Sequence, residues 1–211
     1  MKSVTLYRQE LKERILTLSL REFKAKGVKA VKMDDLAKQL SISKRTLYEI
    51  YANKEELLKA GVGYQNDSFD MRMKCYAETH SHNVIDTIVE FYRIQMKENA
   101  DVNPLFFSDI HKYPSVISML RERHFLREKE RQAFFERGIR EGYFRSDLDY
   151  GIIIYLGRTM RESMMQKQIY QKYQMRQIFH NLLFVFIRGL CTPRGIDILD
   201  QLITETDPTF G

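Results

Sequence analysis

Lys44, Arg45, Thr46 and Tyr48 crowd into five consecutive positions, with Ser43 just before them and Lys54 a short way beyond. These groups offer cations, hydroxyls and a phenol, the donors that bind phosphate oxygens and the acceptor edges of bases. Their spacing matters as much as their type. At about 100° per residue, Ser43, Leu47, Ile50 and Tyr51 fall within one arc of about 100°, the side a helix would bury. Lys44, Arg45, Tyr48 and Glu49 take the adjacent arc. A two-turn helix that buries one side and shows Lys, Arg and Tyr on the other fits a reader of the DNA major groove. The competing reading is a small charged surface helix in an ordinary bundle.

Charge distribution bears on the choice. The 211-residue chain carries a net +6, and residues 1–60 hold 14 Lys and Arg against 8 Asp and Glu. The remaining 20 and 20 cancel, so the whole excess lies at one end, as a polyanion partner for that end would require. With 44% hydrophobic and 12% aromatic residues, the chain is too apolar for a disordered tail and long enough for one or two packed domains. No apolar run approaches the roughly 20 residues needed to span a bilayer. The N-terminus is of mixed charge, without a secretory pattern, so a cytoplasmic protein is expected.

The elements that position the basic residues are helical. Apolar residues recur at helical intervals, strict alternation is sustained nowhere, and the first proline is Pro104. An all-α fold follows. The first helix is predicted over 4–26, with Ile15, Ser19 and Phe23 on one stripe and Gly27 ending it. A second covers 34–40, the turn Ser41, Ile42 and Ser43 follows, and the third covers 44–51. Asn53 with Glu56 three residues on predicts a capping box for a long fourth helix to about Thr79. Further helices are predicted over 84–99, 104–112, 114–120, 121–141, from Asp147 or Asp149 to about Tyr170, and over 175–190, where Pro193 is read as the stop.

An enzyme would need different residues. Glu78, His82 and Asp86 would share a face of a continuous helix and suggest a metal, but Ser81 and Asn83 predict a turn there. Cys75 and Cys191 match no zinc or redox spacing. There is no glycine-rich phosphate loop, nucleophile elbow or zincin motif, so neither a catalytic residue nor a metal or other cofactor is expected. Two alternatives stay open beside a gene regulator: a helical metal-dependent enzyme, and an architectural DNA binder that ignores small ligands.

The stretch Met33-Asp34-Asp35-Leu36-Ala37-Lys38-Gln39-Leu40-Ser41-Ile42-Ser43-Lys44-Arg45-Thr46-Leu47-Tyr48, running on through Tyr51 to Asn53-Lys54-Glu55-Glu56-Leu57-Leu58, closely resembles the tetracycline-repressor (TetR) family. Ile15, Leu16, Phe23 and Gly27 sit where that family places its first-helix core and stop. A weaker echo, Gly138 through Asp149, is similar to the turn before the family's dimerisation helices. The resemblance implies a three-helix helix-turn-helix DNA-binding domain over 1–52 and a larger helical ligand-binding and dimerisation domain over 53–211. It also implies a homodimer on a palindromic operator of double-stranded DNA, released by a small-molecule effector, and most often acting as a repressor. The family's turn glycine is Ser41 here, which must reach unusual backbone angles. Its phosphate-touching threonine is Lys32, which loses a cap and gains a cation, and Ile50 replaces another expected phosphate contact.

Roles follow on this frame. Arg45 is placed to grip guanine in a bidentate pair, and Lys44 beside it also reaches base edges. Tyr48 is suited to phosphate or a thymine methyl, while Ser43, Thr46 and Lys54 are candidate phosphate contacts, Lys54 at a helix N-terminus. Glu49 either accepts from a cytosine amino group or merely pairs with Arg45. The aromatic and methionine density over 84–140 can line an apolar pocket or be ordinary core. Tyr92, Met96, Phe106, Phe107 and Phe125 are the candidate ligand residues, with His111 and Arg161 as polar anchors. The bands Ile152 to Leu156 and Leu182 to Ile187 are wider than one stripe, which calls for cover on more than one side, economically from a second subunit.

Overall fold

The computed structural model describes residues 2–206. Among the described residues there are eleven α-helices, a single 3-10 turn and no strand, which is the expected all-α class. The helices are α1 (Lys2–Lys26), α2 (Met33–Gln39), α3 (Lys44–Ile50), α4 (Lys54–Thr79), α5 (Val84–Asn99) and α6 (Pro104–Ile110). They continue as α7 (Pro114–Leu126), α8 (Glu128–Arg140), α9 (Tyr150–Gln166), α10 (Met175–Leu190) and α11 (Pro193–Thr206). The chain forms two compact units, one from residues up to 69 together with 101–123, the other from 70–100 together with 124 onward.

In the first unit the predicted stripe of α1 is the core. Ile15 and Phe23 are fully buried, packed with Leu36 of α2, Leu47 of α3 and Leu57 and Leu58 of α4. Ser19 lies buried on the same stripe because its hydroxyl donates to the Leu16 carbonyl at 3.1 Å. α6 returns to this core with Phe106 and Ile110. Asn103, just before α6, ties the return to the end of α1. Its main-chain N–H donates to the Lys24 carbonyl at 2.8 Å and its side-chain amide to the Ala25 carbonyl at 3.2 Å, while its Oδ1 caps α6 at the Leu105 N–H. Those bonds satisfy carbonyls that the end of α1 would otherwise leave open.

The loop after α1 is held from both sides. Gly27 adopts φ +81, and a Cβ there would lie 2.9 Å from Leu105 Cβ, so only glycine fits. Asp109 of α6, 5% exposed, accepts the Lys29 main-chain N–H at 2.8 Å and the Lys112 ammonium at 2.7 Å. Lys54, from the opposite side, donates to the carbonyls of Val28 at 3.0 Å and Lys29 at 3.3 Å. Burial pushes the Asp109 carboxyl upward, but the bonds from Lys112, Lys29 and Val28 outweigh it and hold the group below its ordinary value.

The second unit packs α5 against α10 and α11, with Val84, Ile85, Tyr92, Phe144 and Leu199 at its centre. Gly138, in the echo motif, is fixed by sterics: a Cβ would lie 2.0 Å from the Phe144 ring, which rests directly on the α8 backbone. Three element boundaries differ from expectation. The junction expected near 120–121 falls inside α7, and the chain breaks instead at Arg127, which pairs with Asp70 of α4. α8 then restarts with Glu128 and Glu130 in its first turn, favourable charges for a helix N-terminus. α9 ends at Gln166 rather than Tyr170, since Gln168 enters the left-handed region at φ 52 before the 3-10 turn Ile169–Gln171. Pro193 stops α10 but also opens α11, a helix the sequence reading missed. Proline suits a first helical position because its missing N–H is not needed there, and Thr192 Oγ1 accepts the Gly195 N–H at 3.3 Å.

Asp109 sets an acid limit on stability. A carboxyl whose folded pKa lies below its unfolded value stabilises fully above the unfolded value, and that contribution disappears as pH falls through the folded one. Asp109→Asn is therefore expected to cost about 1–3 kcal/mol near neutrality, with the loss shrinking below about pH 4. Urea denaturation of both proteins at a series of pH values measures the difference. A constant gap at every pH would contradict the ionised-carboxylate account.

Candidate nucleic-acid interface

α3 is short, and its start is fixed by Ser43. The hydroxyl of Ser43 accepts the Thr46 N–H at 3.0 Å and lies 2.8 Å from the Thr46 hydroxyl. This is an N-cap, so both hydroxyls already serve the helix that a phosphate contact would add to. Ser41 stands at φ 56, the left-handed conformation that the substituted glycine position demands. The turn therefore keeps its geometry with a serine in place.

The helix presents the two arcs read from its wheel. Leu47 is fully buried, Ile50 and Tyr51 are half-buried against the same core, and burial pushes the Tyr51 phenol up. Lys44, Arg45, Tyr48 and Glu49 are exposed. Arg45 Nε donates to Glu49 at 2.8 Å, so in the free protein Glu49 does pair with Arg45. Lys44 pairs with Asp34 of α2, which raises its pKa through that hydrogen bond and the attached charge. The Arg45 side chain is 88% exposed, and such surface pairs contribute only about 0–1 kcal/mol. They orient the cations at little cost to exchange, because a phosphate or a base edge offers comparable bonds.

Lys32 is the residue before α2, exposed and in extended conformation, and its side chain makes no cap. Asn53 caps α4 through the Glu56 N–H at 2.9 Å, and Glu56 returns a bond to the Ala52 N–H at 3.0 Å. The box is reciprocal as expected, though displaced by one residue on the return side. Lys54, at the first turn of α4, is half-buried with two of its donors on the α1–α2 loop, and burial lowers its pKa. An ammonium has three donors, so one direction is left over.

The candidate ligand residues are divided between the two units. Phe106 is buried in the first unit's core with Phe107 packed against it, and His111 lies exposed at the end of α6. Tyr92 and Met96 are buried in the core of the second unit, Phe125 is 69% exposed, and Arg161 is exposed with Nη1 on the His124 ring. Tyr92 has a polar partner that sequence reasoning missed: its hydroxyl lies 2.8 Å from Nδ1 of His180 on α10. His180 stands just ahead of the apolar band of α10, and no spacing singles it out. The proposed metal face is broken, because α4 ends at Thr79 and Asp86 instead accepts the His82 main-chain N–H at 2.8 Å.

The apolar bands of α9 and α10 divide by face. Ile153, Leu183, Phe184 and Ile187 pack on the second unit's core, whereas Ile152, Tyr155 and Val185 are exposed at 57%, 57% and 73%. A groove lined by Met160, Met164, Ile169, Ile178, Leu182 and Phe186 runs along the same side. Among the described residues no helix is long and apolar enough to cross a membrane.

Comparison with known proteins agrees with this geometry. Residues 15–60 match the family described as bacterial regulatory proteins, tetR family. No curated protein matches the chain. Among solved structures, a putative transcriptional regulator from Saccharomonospora viridis in complex with choline is similar at 16% identity and TM-score 0.67, over 87% of this chain and 99% of that one. The ketosteroid transcriptional regulator KstR2 of Mycobacterium tuberculosis is similar at 20% identity and TM-score 0.54, over 86% and 95%. The transcriptional regulator FadR from Bacillus subtilis in complex with stearoyl-CoA is similar at 17% identity and TM-score 0.58, over 84% and 98%. At such identities the structural likeness is one of fold. Residues 15–60, with α3 and its caps in place, match the helix-turn-helix segment of tetR-family regulatory proteins, and the rest of the chain shares their fold.

Proposed function

We propose that the chain is a homodimeric repressor that binds a palindromic operator in the cytoplasm and leaves it when a small molecule binds. The observation that carries this reading is the outward face of α3, where Lys44, Arg45 and Tyr48 stand exposed on a helix whose other face is anchored by Leu47. In this reading residues 1–52 form the DNA-reading domain and 53–211 the ligand-binding and dimerisation domain. Arg45 exchanges Glu49 for guanine, Lys44 exchanges Asp34 for a base edge, and Tyr48 meets a phosphate or thymine methyl. Lys32, Ser43, Thr46 and the third donor of Lys54 complete the phosphate contacts.

The exposed faces of α9 and α10 support the dimer. Ile152, Tyr155 and Val185 form an apolar surface of the kind that a second copy covers. Two-fold symmetry would set the two α3 helices to read half-sites about 34–36 Å apart, or a multiple of that turn length. Ligand response is supported by the choline and stearoyl-CoA complexes of the similar regulators. It is also supported by the absence of net charge beyond residue 60. α4 begins four residues after α3 ends and runs for 26 residues, which makes it the natural lever between ligand and reading helix. A swing from 1:99 to 99:1 between binding and released states needs about 5.5 kcal/mol of differential ligand affinity. Operator DNA must then weaken ligand binding by the same factor.

Selection from random duplex DNA is expected to yield a palindrome. On that site, Arg45→Ala should relax preference at one base position per half-site, at about 1–3 kcal/mol. Lys54→Ala should weaken binding to all sequences alike and lower the salt slope by about one unit per half-site. It should also reduce stability, since the carbonyls of Val28 and Lys29 lose their donor. Retention of parental affinity and specificity by both variants would exclude this docking.

The dimer has its own test. Ile152→Glu and Val185→Glu place charges on exposed apolar positions outside the core, so the subunit should still fold. Sedimentation should show monomers with reduced operator affinity. A parent protein that is monomeric at micromolar concentration would overturn the assembly.

A further inference from the structure

In the second unit Arg131 lies near both Arg158 and Arg161, and none of the three is ion-paired to a carboxylate among the described residues. Arg131 of α8 shares a helix face with Phe134, Phe135 and Gly138, the residues that pack toward Phe144. Arg158 and Arg161 of α9 share a face with Tyr150, itself buried in the core. His124, near the end of α7, joins the two helices. Its main-chain carbonyl accepts from Arg131 Nη2, and its ring nitrogens lie 2.8 and 3.1 Å from Arg161 Nη1. Arg158 lies 5.2 Å from the Tyr155 ring centre, a cation-π contact rather than an ion pair.

The balance of charge is lopsided at this point. Neighbouring Arg127 is paired with Asp70, and Glu128, Glu130 and Glu162 are exposed. Among the described residues none of the three is ion-paired to Arg131, Arg158 or Arg161. Arg131 Nε is enclosed and donates to nothing. Burial and the charges of Arg127 and Arg158 lower the pKa of Arg131, although Glu128 and Glu130 partly offset them. Clustered guanidinium groups that form no ion pair, one of them with an enclosed and unspent Nε, are an arrangement that an oxyanion would relieve.

We propose that Arg131, Arg158, Arg161 and the His124 imidazole form an anion-accepting subsite between α8 and α9 that holds the carboxylate or phosphate head of an amphiphilic effector. Planar guanidinium forks match both head groups, and Phe134 and Phe135 on the Arg131 face supply an apolar surface for the tail. This rests on the ligand-response reading above for its regulatory meaning and adds a charge to the effector's chemistry.

The test uses the full-length protein and three probes of equal chain length: decanoate, decyl phosphate and decanol. Calorimetry is expected to show either anion binding about tenfold or more tightly than decanol. Arg131→Gln and Arg161→Gln should each abolish that preference, and Arg161→Lys should restore part of it by keeping the charge without the fork. The thermal midpoint of the Gln variants should not fall, since each removes an unneutralised charge; a large fall would mark Arg131 or Arg161 as structural ties and overturn the assignment. Equal binding of the three probes, no binding of either anion, or anion binding indifferent to the substitutions would also overturn it. Operator affinity measured in the same samples separates the two ideas. Decanol that binds and releases DNA with no anion preference removes the subsite and leaves ligand response standing. Arginine-dependent anion binding with unchanged operator affinity confirms the subsite and removes its regulatory role. Whichever anion binds more tightly identifies the head group.

Discussion

The organisation of the first unit depends on one buried carboxylate. Asp109 takes the main-chain donors of the loop after α1, and Lys54 takes that loop's carbonyls. Between them they satisfy the polar backbone of a turn that could not otherwise be covered by α6. Gly27 is then forced, because the same close approach leaves no room for a Cβ. With the loop fixed, Val28 and Val31 reach the core, α2 leaves at a defined angle, and α3 is set behind it. α3 thus owes its placement to a carboxylate on α6 rather than to its own contacts.

The exposed side of α3 works on the opposite principle. Its bonds are exposed and weak, Lys44 to Asp34 and Arg45 to Glu49, so they guide side chains without holding them. Strong bonds lie underneath and exchangeable ones on top. The same contrast appears in α9 and α10, where Ile153 and Phe184 are committed to the subunit's own core and Ile152 and Val185 are not. A helix apolar on two sides thus splits its faces between cohesion and surface.

Much of this was legible in the sequence, and the reason is locality. The stripe of α1, the turn at Ser41, the arcs of α3 and the cap at Asn53 all depend on residues within one or two helical turns of each other. What was not legible depends on distant partners. Nothing near Asp109 in sequence marks it as the ligand of a loop 80 residues away, and His180 meets Tyr92 across 88 residues. α11 was missed for another reason. Proline ends one helix and begins another equally well, and only Thr192 ahead of Pro193 distinguishes the two. Arg131 lies among charges of both signs along α8, and nothing in its spacing marks it out. In three dimensions the carboxylates of Glu128, Glu130 and Glu162 are exposed while Arg131 Nε is enclosed.

The first unit is discontinuous, and that has a consequence during synthesis. Its closing strap, Asn103 to Asp109, is separated from α1 by the whole of α4 and α5, the latter belonging to the other unit. On a ribosome, α1, α2 and α3 emerge long before α6 exists to complete them. The nascent helix-turn-helix therefore carries an unsealed α1–α2 loop with the amides of Val28 and Lys29 still facing water. It gains its finished shape only when the chain doubles back, a non-local closure that is slow compared with forming the helices themselves. The three N-terminal helices are thereby left unfinished until the chain has passed through the portion that belongs to the second unit, so an incomplete polypeptide exposes a half-built fold.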